Sequence, residues 1–94
     1  MTADTGMQNI AEVERYANNL ENVSIQVKQV FDRLKQQTDQ ISQNWHDSQF
    51  QMYHEQFNQN IMKEVEGICA SMQRLSMYAK KQCEFHRMAQ QHHL

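Results

Sequence analysis

Asn44-Trp45-His46-Asp47-Ser48-Gln49 is the only interior stretch of this chain where helix-capping residues cluster, and it divides two long segments of helical periodicity. Asp47 or Ser48 can N-cap a following helix, and Gln51 completes a capping box if Ser48 is the cap. The chain therefore turns here, over about residues 44–48, between a helix over about 8–43 and another over about 49–90.

Upstream of the turn, Val13, Leu20, Val27, Leu34 and Ile41 recur at seven-residue intervals, with Tyr16, Val23 and Val30 at the second heptad position. This row is the expected seam of the hairpin. Ala17, Phe31 and Trp45 lie on its flank and widen the stripe toward a bundle-type face. Thr5 with Gln8, or Asn9 with Glu12, offers a capping box for the start.

Downstream the period changes. Phe50, Ile61, Met72 and Cys83 are spaced by eleven, as are Phe57, Ile68 and Ala79, a repeat closer to a straight helix. Val65, Leu75, Tyr78, Phe85 and Met88 extend this apolar surface, so the second helix is apolar over a broader arc than the first. Gly67 inside it costs about 1 kcal/mol or serves close approach of a partner helix.

Composition agrees with an all-α fold. Proline is absent, the 94 residues hold two glycines, and no stretch alternates as a strand does. One helical-hairpin domain, residues 1–94, is the expectation. Two helices of about 40 residues each reach about 60 Å, and a short connection makes them antiparallel. Hydrophobic residues make up 39% of the chain, too few for a large self-sufficient core. The surplus apolar arc of the second helix is expected to pair hairpins into a four-helix bundle, with Phe50, Tyr53, Phe57, Ile61, Met62, Ile68, Met72 and Met77 forming the dimer or partner face.

Several function classes lose support. A formal charge of −2 gives no nucleic-acid footprint, and Arg74, Lys80, Lys81 and Arg87 suit a helix C-terminal dipole. No apolar run approaches the ~20 residues of a membrane span. Met1 to Ile10 lack a basic n-region and an apolar h-region, so synthesis in the cytoplasm is expected, with any export independent of a signal peptide. His46, His54, His86, His92 and His93 do not complete a zinc-binding spacing, and no metal or other cofactor is expected. Cys69 and Cys83 lie about 21 Å apart along one helix, too far to pair, and read as reduced, partly buried thiols. No nucleophile with a base and no phosphate-cradling loop is visible, and a two-helix hairpin offers little concavity for an enzyme.

A chain of this length with two long helices joined at a central tryptophan resembles the WXG family, the ESAT-like small proteins of bacterial type VII secretion. Trp45-His46-Asp47 occupies the motif position, followed by the aromatic residues Phe50, Tyr53 and Phe57. Asp47 stands where the motif has glycine, and Tyr78 is followed four residues on by Gln82 where the family's export signal has an acidic residue. The resemblance implies a homodimer, or a heterodimer with a small paralogue, acting as secreted substrate, adaptor or escort for a larger effector. It implies Trp45 packed at the hairpin corner and no catalytic residues. The other reading of the residues is a coiled-coil interaction module that stays in the cytosol and assembles a larger complex.

Overall fold

The structure, a computed structural model, describes residues 9–91. Helix α1 spans Ile10–Asn44, opening on Asn9, whose side chain accepts the Glu12 N–H at 3.0 Å. The Thr5 cap and the start near residue 8 lie outside the described residues. Trp45 leaves the helix in extended geometry, with φ −126° and ψ 99°. Asp47 then caps α2, Ser48–Gln56, its carboxylate accepting the Gln49 N–H at 3.0 Å. Of the two candidate caps, Asp47 does the capping and Ser48 is the first helical residue.

The turn takes up Asp47 without strain. Its φ is −87°, and no described residue has positive φ, so the position needs no glycine. A carboxylate there satisfies an orphan amide that glycine would leave bare.

The second arm is not one uniform helix. α2 runs into a π-helical turn at Phe57–Ile61 and then into α3, Met62–Gln91, with right-handed helical dihedrals on both sides of the turn. The two arms form an antiparallel hairpin measuring 70 × 21 × 14 Å. Its radius of gyration is 20.5 Å, against about 12 Å for a compact chain of this length. Each arm therefore packs against the other along one stripe only.

That stripe is made of small residues. Ala17 and Ser24 of α1 face Val65, Cys69, Ser76, Ala79 and Cys83 of α3, and all seven are buried. Small side chains let the backbones approach closely enough for α3 to hydrogen-bond α1 carbonyls directly. Ser76 Oγ donates to Ala17 O at 2.7 Å, Cys69 Sγ to Ser24 O at 3.3 Å, and Cys83 Sγ to Ile10 O at 3.7 Å. Seven residues along one arm match seven back along the other, so these bonds fix the register. Ser24 Oγ bonds Glu21 O within its own helix, which satisfies it locally.

This corrects the expected seam. Val13, Leu20 and Val27 are half-buried flankers of the small-residue row, while Leu34 and Ile41 are 41% and 48% exposed. Branched side chains at the centre would hold the backbones too far apart for the carbonyl bonds. The eleven-residue rows on the second arm are also split, because Ala79 and Cys83 are buried while Ile61 and Ile68 are exposed. The inward positions of α3 follow a heptad, and the eleven-residue rows drift across it from the exposed flank into the seam.

Gly67 is helical, and a Cβ there would meet nothing within 4 Å. It serves no close approach inside the hairpin.

Candidate functional site

The two broad faces of the hairpin differ in chemistry. On α1, Glu14 and Glu21 lie to one side of the Ala17–Ser24 row, with Leu20 and Val27 on the other. On α3, Lys80 and Arg87 lie to one side of Ser76 and Cys83, with Met72 and Ala79 on the other. Lys80 Nζ pairs with Glu21 at 2.5 Å, and Arg87 pairs with Glu14 through both guanidinium nitrogens. These bridges place the two charged flanks on one face of the hairpin. The apolar flanks therefore share the opposite face.

On that face α1 presents Tyr16, Val23, Val30, Leu34 and Ile41, with a shallow groove among Val23, Val27, Val30 and Phe31. The second arm presents Tyr53, Ile61, Ile68 and Leu75, with Tyr78 and Phe85 exposed further round. Phe50, Phe57, Met62 and Met72, assigned to the partner face from sequence, are half-buried. Met77, also assigned there from sequence, is 68% exposed and lies beside Glu21, Ile25 and Gln73, on the charged side. Met88 also sits on that side, near Glu14 and Arg87. Tyr16, Val23 and Val30 lie on this apolar face outside the small-residue seam, with Tyr16 and Val30 exposed and Val23 half-buried.

At the tip, Trp45 stacks on Phe50, with ring centroids 4.4 Å apart and 17° between planes. Phe50 in turn lies 6.0 Å from the His54 ring. Gln51 Nε2 donates to Trp45 O at 3.1 Å and ties the turn to α2. The indole is nevertheless 51% exposed, so the expected burial at the corner does not hold within one hairpin. Two helices only 21 Å across leave no third element to cover it.

A polar cluster joins α1 to the start of the π turn. Asp39 accepts from Lys35 Nζ at 2.8 Å and from His54 Nε2 at 2.7 Å. Since a carboxylate only accepts, Nε2 carries the proton and has no lone pair for the Asn58 amide 3.2 Å away. Hydrogen bonds from Lys35 first, then His54 and more weakly Asn58, hold the Asp39 carboxyl down at about 2, against an opposing push from burial. Asn58 Oδ1 is buried with no donor among the described residues. Among those residues no group of three His, Cys, Asp or Glu side chains is placed to hold a metal; His92 and His93 lie outside them.

Cys69 and Cys83 are both buried in the seam, more deeply than sequence implied. Burial first, then the Glu14 carboxylate, pushes the Cys83 thiol up against the opposing pull of Arg87, so it stays protonated and hydrogen-bonding.

The hairpin, its central tryptophan and the aromatic residues beyond it agree with one known family. A family described as WXG100, proteins of 100 residues with WXG, matches residues 7–84. The chain belongs to the WXG100 family. No curated protein and no solved structure matches it. In this WXG100 chain the motif glycine is replaced by a capping aspartate, and no helix among the described residues is long and apolar enough to cross a membrane.

Proposed function

We propose that this WXG100 protein is a non-catalytic docking hairpin, working as a secreted substrate, adaptor or escort in a bacterial specialised secretion system through helix–helix contacts. The observation that carries the reading is the apolar face shared by both arms, opposite the ion pairs. The chain exposes 7588 Å² where a compact monomer of 11.2 kDa exposes about 5,700 Å². The surplus follows from the elongated shape, in which each arm is covered along one stripe only. A second copy laid on this face gives a four-helix bundle with twofold symmetry, and a small paralogue offers the same kind of surface. Trp45, Asp47 and Ser48 form the corner that such a dimer leaves at its tips, where a larger secreted effector can engage the stacked Trp45 and Phe50.

Gln82, four residues after Tyr78, favours a second reading: an interaction module that remains in the cytosol and assembles a larger complex. An export assay separates the two. In a host carrying a type VII secretion ATPase, the first reading predicts ATPase-dependent appearance of the chain in the medium, abolished by Ile68→Glu. Retention in the cell with or without the ATPase supports the module instead.

A further inference from the structure

The inward positions of α3 alternate by four and three: Val65, Cys69, Met72, Ser76, Ala79, Cys83. Continued backward through an unbroken α-helix, the series reads Met62, Asn58, Glu55, Gln51 and turns polar. The structure does something else. Phe50, His54 and Phe57 are half-buried at the start of the second arm, with Gln51 and Asn58 half-buried beside them, while Glu55 of the unbroken series is exposed and His54 takes its place. His54 reaches Asp39 of α1 at 2.7 Å. The inward series has thus moved by one residue, about 100° of helix rotation, between α3 and α2. Between the two blocks lies the π turn at Phe57–Ile61, where the wider i to i+5 ring takes up one additional residue.

We propose that this π turn is a one-residue skip that brings the aromatic rows of α2 into phase with the apolar rows of α3, making one continuous partner surface along the second arm. The skip carries Tyr53 into line with Ile61, Ile68 and Leu75, and Phe50 and Phe57 into line with Val65 and Met72. Without it, Gln51 and Asn58 would occupy the Val65–Met72 line, and the aromatic residues would turn away from both α1 and the partner. The phase relation stands on the hairpin alone; its use as a surface rests on the function proposed above.

A skip makes an asymmetric prediction. Removing the additional residue lets the turn become ordinary α-helix with the phase of α2 preserved, whereas adding one rotates α2 by a further ~100°. Gln59 and Asn60 are exposed in the turn, so length there can be changed without disturbing the interior. The test compares the full chain with three variants: deletion of Gln59, insertion of an alanine between Gln59 and Asn60, and Gln59→Ala as control. The deletion should keep the His54–Asp39 contact, read by nuclear Overhauser effects from the imidazole ring, with a thermal midpoint within about 5 °C of the control. The insertion should lose that contact and lower the midpoint on the order of 10 °C. Self-association measured by sedimentation should survive the deletion and weaken at least about tenfold on insertion. Deletion of Asn60 is a further variant and should behave as deletion of Gln59 does. The proposal is overturned if the insertion is tolerated as well as the deletion, or if both deletions lose the His54–Asp39 contact or fail to fold. A deletion that keeps the contact while the parent chain never associates overturns the partner surface and leaves the skip standing.

Discussion

Replacing Ser76 by Leu should destabilise the hairpin more than replacing Leu34 by Ala, an order opposite to the one hydrophobicity suggests. Ser76 is fully buried, with Oγ 2.7 Å from the Ala17 carbonyl of the opposing arm. Leucine adds two heavy atoms at a point where the side-chain oxygen already sits one hydrogen-bond length from the opposing backbone. Overpacking of this kind costs about 1–3 kcal/mol, and loss of the bond about 1 kcal/mol more. The total is about 2–4 kcal/mol. Ser76→Ala should cost only about 0.5–1 kcal/mol, because the Ala17 carbonyl, in the interior of α1, keeps its own helical hydrogen bond. Leu34 is already 41% exposed, so truncation removes about 1 kcal/mol or less from the isolated hairpin. Urea unfolding followed by circular dichroism, run over a dilution series, reads all three and separates effects on the hairpin from effects on association. A Ser76→Leu protein as stable as the parent at the lowest concentration would refute the close-packed seam.

Gly67→Ala should stabilise α3 by about 0.5–1 kcal/mol, since the added Cβ meets nothing in the hairpin; thermal unfolding of dilute protein checks this. Trp45→Ala should cost the hairpin about 1–2 kcal/mol, not the roughly 3–5 of a buried indole, and Trp45 emission should be water-like in dilute protein and shift to the blue if a partner covers the tip. The Asp39 carboxyl is held below its unfolded value, so its contribution is present above about pH 4 and is lost as the pH falls toward 2. Asp39 is 39% exposed, so solvent screening keeps the effect modest. Acid titration of stability should show a smaller drop between about pH 4 and 2 for Asp39→Asn than for the parent.

The turn was legible in sequence because its chemistry is local: Asp47 caps α2 within two residues, and Asn9 caps α1 within three. The interior was not, because two heptad rows run side by side on α1 and hydrophobicity favours the larger one. Close approach of the helices selects the other row, Ala17 and Ser24, since only small residues permit the bonds from Cys69 and Ser76. The matching seven-residue spacing of Cys69, Ser76 and Cys83 was the signal. The exposed apolar face was legible in part. Tyr53, Ile61 and Ile68 are exposed, but Met77, five residues after Met72 on the same helix, is rotated by about 140° onto the charged side. Burial of Trp45 depends on what covers the tip, and residues in one hairpin carry no information on that.

Sedimentation equilibrium of the purified chain at micromolar concentration tests the central claim most directly. The account predicts a species of twice the 11.2 kDa chain mass, reduced to the single chain by Val30→Glu with Ile68→Glu on the apolar face and unaffected by Asn22→Glu, an exposed position outside it. A monodisperse 11.2 kDa species with an unchanged apolar face, and no larger species on addition of a small paralogue, would contradict it.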